Sequence, residues 1–308
     1  MSNAQVSTWR NWISRVAVGS ALAALVTVGG CSPAAAPQVT VTIKPDKAAA
    51  PAENIEGAAP SEGGAPAGGV GDLAGVVLFD GAPTELPPLV AKGAAVRDAE
   101  VCAANAIPDE TIEVDANSKG IRNVFIYLEK APAGAKSQPI PEGKLLFDQH
   151  GCRFVPHSVL ARTTQTLFIL NDDSVAHNTH TFPVRNPGFN SVVKVNDREG
   201  VPLVYKQSER EPIEVKCDFH PWMRAYHLPL DHSFAALTDE NGKFEIKGLP
   251  AGTHTFKVWH EKGGLLERAY KVTIKAGQPN EVKLNFGAAK FAAFEGPRPQ
   301  TLIVNTRP

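Results

Sequence analysis

The chain has 308 residues, a formal net charge of −1, 43% hydrophobic residues and only 7% aromatic ones. That length allows one or two domains with tails, and the near-neutral charge implies no polyelectrolyte partner and gives nothing to recommend nucleic-acid binding. Gly and Pro number 26 and 25, a mixture that fits short strands joined by turns better than a helical bundle.

Residues 1–31 read as an export signal. Arg10 and Arg15 are the only charges before Lys44, and residues 16–30 are apolar and small. The run Val28-Gly29-Gly30-Cys31 resembles a bacterial lipoprotein lipobox, which implies cleavage before Cys31 and lipidation of its thiol. Ser32 is not the Asp that usually holds such proteins in the inner membrane. The resemblance therefore implies a periplasmic-side lipoprotein, with the outer membrane favoured. Residues 32–71 are rich in Ala, Pro and Gly; they cannot bury enough apolar surface to offset ordering entropy, and they read as a disordered tether.

Beyond the tether the expected elements are short strands, and the fold class is all-β. Residues 73–79 are apolar and end in the turn signal Asp80-Gly81, and residues 121–128 are β-branched and aromatic. One short helix is expected within residues 94–105. Strands follow at 144–147, 154–161, 166–171, 177–182, 191–195, 212–217 and 225–228. The last third is the cleanest, with strands at 234–237, 243–246, 253–259, 267–274 and 280–286 separated by turns such as Asp239-Glu240-Asn241-Gly242. Residues 288–308, broken by Pro297, Pro299 and Pro308, read as a loose tail.

The four cysteines are Cys31, Cys102, Cys152 and Cys217. With Cys31 lipidated, three remain in an oxidising compartment, an odd number. Pairing Cys102 with Cys152 leaves Cys217 as a free thiolate. The rival is a second metal site built from Cys152 with His150, His157 or Cys102. A Cys102–Cys152 disulfide is expected to stabilise the fold and to leave the spectrum of any metal nearly unchanged.

Cys217-Asp218-Phe219-His220-Pro221-Trp222-Met223 puts a thiolate, an imidazole and a thioether within seven residues. Asn171-Asp172-Asp173-Ser174-Val175-Ala176-His177-Asn178 supplies a second imidazole. Soft sulfur selects Cu(I), imidazole suits both oxidation states, and two His, one Cys and a distant axial Met form the ligand set of blue-copper sites. His177 competes with His180 for the remote position, while His227, His232, His254 and His260 share no ligand spacing and read as structural or exposed.

Residues 153–223 resemble the amicyanin-like blue-copper proteins of the cupredoxin family. Arg153-Phe154-Val155-Pro156, then Thr166 through Asn171 and His177-Asn178, follow that family's strand, strand and His-Asn order. Cys217-x-x-His220-Pro221-x-Met223 reproduces its short ligand loop. The resemblance implies His177, Cys217 and His220 as strong copper ligands and Met223 as the weak axial one. It implies that Asn178 braces the loop near the Cys sulfur, and that the edge of His220, flanked by Pro221 and Trp222, reaches a surface patch where redox partners dock. One departure is Arg162-Thr163-Thr164-Gln165, a turn where the family usually has Gly.

Residues 234–275 resemble a different module, the carboxypeptidase regulatory-like (transthyretin-like) β-sandwich. Asp239-x-x-Gly242-x-Phe244-x-Ile246-x-x-Leu249-Pro250-Ala251-Gly252 and Val258-Trp259-His260 carry the likeness. Its opening strands are missing just before Phe234, but matching patterns occur at Gly75-Val76-Val77 and Asn123-Val124-Phe125-Ile126-Tyr127. The boundaries are then a first part of that sandwich at 72–141, a cupredoxin Greek-key β-sandwich at 142–232, and the remainder of the regulatory-like sandwich at 233–287. Insertion and linear tandem both remain open.

The expected function is one-electron transfer between a donor and an acceptor protein by an exported, membrane-tethered protein holding one copper ion. No substrate site or acid–base constellation points to an enzyme. Copper storage or delivery is one alternative, and a structural or adhesive β-sandwich with a vestigial site is the other.

Overall fold

Along residues 243–246 the sequence alternates Lys-Phe-Glu-Ile, and the side chains sort with it: Lys243 and Glu245 face solvent, Phe244 and Ile246 the core. The same period of two builds the rest. The computed structural model describes residues 68–83 and 85–292. Its elements are β1 (Val70–Asp80), α1 (Ala99–Cys102), β2 (Phe125–Leu128), β3 (Leu145–Gln149), β4 (Phe154–Val155), β5 (Ser158–Arg162), β6 (Thr166–Ile169), β7 (His177–Thr181) and β8 (Phe189–Val193). They continue as β9 (Val201–Val204), β10 (Ile213–Lys216), β11 (Arg224–Leu230), β12 (Ala235–Leu237), β13 (Lys243–Pro250), β14 (Gly252–His260), β15 (Gly264–Ile274), β16 (Asn280–Gly287) and α2 (Ala289–Ala292). The export signal, Cys31, nearly all of the tether and the tail from residue 293 lie outside the described residues.

The molecule is all-β, with strands ordered β13-β1-β16, β12-β2-β14-β15, β5-β11-β10-β7-β8 and β4-β3-β6-β9. A hydrophobic cluster separates the first two sheets, with Leu73, Val77 and Phe244 meeting Ile126, Phe256 and Val258. A second separates the last two, with Phe147, Leu167 and Ile169 meeting Val159, Val193 and Val215. A third joins the two sandwiches through Phe125 and Tyr127 on β2, Leu228 and Leu230 on β11, and Trp259 on β14. This explains why β2 is buried at every residue: its alternate faces belong to different cores, and such a strand reads as a continuous apolar run rather than an alternating one.

Strands β1 and β2 find their partners far along the chain. β1 runs antiparallel to β13 and parallel to β16, and β2 pairs with β12 and β14. Strands β3 to β11 pair only among themselves. The first two sheets are thus built from segments on either side of β3 to β11. The chain leaves and returns at adjacent positions, since the N–H of Leu128 donates to the carbonyl of Phe234 at 3.1 Å. Ends this close let the intervening chain lie between β2 and β12 without breaking their pairing.

Three details depart from expectation. Residues 89–107, assigned by sequence to the first sandwich, bury Val90, Cys102, Ala103 and Ile107 in the core of the other one. The helix there shrinks to one turn, preceded by Asp98 in the left-handed region at φ 54°. The supposed tail begins with α2, whose Phe291 packs 5.8 Å from the ring of Phe79 and edge-on to His260. The turn at Gly242 needs that residue: φ is +74°, and a Cβ would fall 2.3 Å from the carbonyl oxygen of Val77.

Candidate metal centre

Strand β10 pairs Lys216 with His180 of β7, so the next residue, Cys217, emerges beside the start of β7 at His177. The chain then turns through the seven-residue loop and returns as β11. The loop is closed by the N–H of Cys217 to the carbonyl of Met223 at 3.3 Å, and by the N–H of Met223 to that of His220 at 2.9 Å. Pleating sends His177 inward and His180 outward. His180 lies partly exposed against Asp218 and stacks on Phe182, so His177 is the imidazole that reaches the site.

Three donor atoms converge. Nδ1 of His177 and Nδ1 of His220 are 2.9 Å apart, and Sγ of Cys217 lies 4.0 and 3.7 Å from them. All three residues are buried. Met223 is buried in the same cluster. Asn178 braces the loop: its Oδ1 accepts the N–H of Asp218 at 2.7 Å, and its Nδ2 donates to Asn190 and to the Asp218 carboxylate.

The outer nitrogens decide the chemistry. Nε2 of His177 lies 2.8 Å from Oδ2 of Asp173, and Nε2 of His220 lies 3.0 Å from Oδ2 of Asp98. A carboxylate only accepts, so each Nε2 carries a proton, and each ring turns its Nδ1 inward. Two imidazole nitrogens 2.9 Å apart beside a cysteine sulfur require a proton or a metal ion between them. The donor set thus fits a soft or borderline metal ion.

Electrostatics run the same way. Burial pushes the Cys217 thiol up, but hydrogen bonds from His177 and His220 and backbone N–H groups of Asn178 and His220 outweigh it and bring it down to about 6. Burial pushes His177 down, yet Asp173 and Cys217 together raise it above the ordinary value. Asp173 is held low despite burial by His177 and by the backbone N–H groups of Cys152 and Gly151. Negative groups on every side draw positive charge into the site.

Cys102 and Cys152 form a disulfide, and Cys217 is the free thiol among the described residues. The rival metal site does not assemble. His150 is exposed against Asp172, His157 bonds Glu261, and the sulfur of Cys152, though near Asp173 and His177, is committed to the disulfide. The edge of His220 does not reach the surface: the residue is 0% exposed, because residues 89–107 lie over it. Pro221 is exposed, but Trp222 is half-buried, with its indole N–H donating to the carbonyl of Cys152 at 3.2 Å. Asp173 escaped the sequence reading, although its place four residues before His177 was a usable signal. Asp98, 122 residues before His220, offered none.

No protein-family model matches the chain, and no curated protein matches it. Among solved structures it is similar to a novel purple cupredoxin from Nitrosopumilus maritimus, at 20% identity over 28% of this chain and 99% of that one, with a TM-score of 0.24. It is similar to amicyanin from Paracoccus versutus, at 13% identity over 35% of this chain and 99% of that one, with a TM-score of 0.25. A copper-containing nitrite reductase from Thermus scotoductus SA-01 shares 17% identity over 33% of this chain and 25% of its own length, with a TM-score of 0.25. At these scores the likeness carries no argument.

Proposed function

We propose that the protein holds one copper ion at His177, Cys217 and His220, with Met223 as a weak axial ligand, and transfers single electrons between partner proteins. The observation that carries this is the convergence of Nδ1 of His177, Nδ1 of His220 and Sγ of Cys217 in a buried site. Copper supplies a change between two oxidation states that moves one electron without making or breaking a covalent bond of the protein.

The residues have separable duties. Cys217 provides the soft, charge-donating sulfur. His177 and His220 are held in one tautomer by their carboxylates, and such outer contacts keep ligand orientation fixed. Strands β7 and β10 hold the remote ligand against the loop, so little rearrangement is needed between states. Burial excludes water from the thiolate. We further propose, from the amino-terminal pattern ending in Cys31, that the protein is an exported lipoprotein on the periplasmic side of a bacterial membrane. Its redox encounters there are small and transient.

The test is direct. Cu(II) added to the purified chain should give an intense blue charge-transfer band and a matching EPR signal, both abolished in Cys217→Ser. Colourless binding that a chelator strips readily would indicate storage or delivery, and no binding at all would leave a structural protein.

A further inference from the structure

Residues 89–107 form a closed strap. The N–H of Leu89 donates to the carbonyl of Ile107 at 2.9 Å, the N–H of Ile107 to that of Val90 at 2.8 Å, and the N–H of Gly93 to that of Ala103 at 2.8 Å. Between these rungs the chain reaches over the ligand loop. Arg97 covers the ring of Phe219 at 4.8 Å, and Asp98 meets Nε2 of His220. The strap is fastened at two levels: four apolar residues enter the second sandwich's core, and Cys102 is bonded to Cys152.

That fastening is shared with the other imidazole. The backbone N–H groups of Gly151 and Cys152 donate to Asp173 at 2.7 and 2.8 Å, and Asp173 holds His177. One disulfide therefore ties together the two supports that orient the two imidazoles. The strap residue Asp98 adopts a left-handed backbone at φ 54° and ψ 39°. That region is uncommon for non-Gly residues, though Asp and Asn visit it, and here it accompanies a carboxylate aimed at the ring.

We propose that Asp98 is a positioning residue for the metal centre: carried on the disulfide-fastened strap, it holds the Nε2–H of His220, turns Nδ1 of that ring inward and closes the imidazole edge to solvent. A partner that reaches this end of the protein then meets the strap around Arg97 and Asp98 rather than the imidazole itself. Its charge has a second consequence. A carboxylate behind a ligand favours the ion's higher charge over its lower one, so Asp98 holds the reduction potential down. The metal-facing half of this inference rests on the copper reading above; the orientation of His220 does not.

Two substitutions separate these effects, and both tolerate a left-handed backbone. Asp98→Asn removes the charge and keeps the shape, whereas Asp98→Gly removes the side chain entirely. In the metal-free full chain, proton NMR should show a slowly exchanging imidazole N–H of His220, identified by its loss in His220→Gln. Asp98→Gly should abolish that resonance while leaving the His177 N–H. With Cu(II), Asp98→Gly should lose roughly 10- to 100-fold in affinity, and both variants should show a raised reduction potential. If the wild type gives no Cys217-dependent blue band, the copper reading fails while the NMR arm still decides the orientation of His220. An unchanged His220 resonance in Asp98→Gly overturns the positioning role. Wild-type affinity and potential in both variants overturn the tuning role.

Discussion

Oδ2 of Asp173 accepts both the Nε2–H of His177 and the backbone N–H of Cys152, each at 2.8 Å. A single buried carboxylate thus joins the remote imidazole to the turn that carries the disulfide. Its other oxygen takes the N–H of Gly151 at 2.7 Å, so no rotation can satisfy one partner without losing another. Asp173→Ala should therefore weaken Cu(II) binding by roughly 10- to 100-fold, the usual cost of removing an outer-sphere partner. Competition with a chelator of known affinity measures the loss. Wild-type affinity in that variant would mean that His177 is oriented by β7 alone.

The disulfide's place between the two imidazole supports changes the prediction that the cysteine count supported. For a sequence separation of 50, the chain-entropy relation gives about 4 kcal/mol of stabilisation. Denaturant unfolding of Cys102→Ser with Cys152→Ser should show a loss of that order. Because the bond also secures Asp98 on one side and the Asp173 turn on the other, the blue band should shift or broaden in the double variant. An unaltered spectrum would show that packing of Val90 and Ile107 suffices to hold the strap.

Much of this architecture was legible in the chain. Alternation at Lys243-Phe244-Glu245-Ile246 marked β13, and the Cys217-to-Met223 spacing marked the ligand loop because its donors are local to one turn. The burial of His220 was not legible. It depends on a carboxylate brought from 122 residues away, and nothing in the local pattern around either residue encodes that meeting. The strap misled for a related reason: its apolar residues, Val90 and Ile107, carry no sign of which core they enter. Phe291, likewise, looked like part of a tail because four residues of helix have too little periodicity to register.

Thr164 replaces the glycine expected in its turn and takes φ +71°. A β-branched residue in the left-handed region is strained, at a cost of about 1–2 kcal/mol. Its side chain is exposed and its N–H is used by the carbonyl of Tyr205 at 2.9 Å, so a replacement that prefers this conformation loses no contact. Thr164→Asn should raise stability by about 1 kcal/mol, seen as a higher denaturation midpoint with unchanged slope. A lower midpoint would show that the threonine makes a compensating contribution to the turn.

His227 contributes to the acid sensitivity of the second sandwich. It is fully enclosed in that core, with its Nδ1 2.9 Å from the Tyr205 hydroxyl and its ring edge-on to Phe147 at 4.4 Å. Its Nε2 has no partner among the described residues, and burial pushes its pKa down to about 3. In the unfolded chain the same imidazole binds a proton below about 6.5. Between those values the unfolded state holds the extra proton, so stability falls as pH drops from about 6.5 towards 3, by up to about 1.4 kcal/mol per unit for this group. His260, also down to about 3 and fully buried by its neighbours, adds a parallel loss in the same window. Replacing the pair together, His227→Leu with Tyr205→Phe, removes the first contribution without stranding the hydroxyl. Urea unfolding of the metal-free chain at a series of pH values between 6.5 and 4 should then show a shallower decline than the wild type by close to one proton. An identical slope would mean that His227 binds its proton in the folded chain too, which overturns its enclosure as a neutral ring between Phe147 and Tyr205.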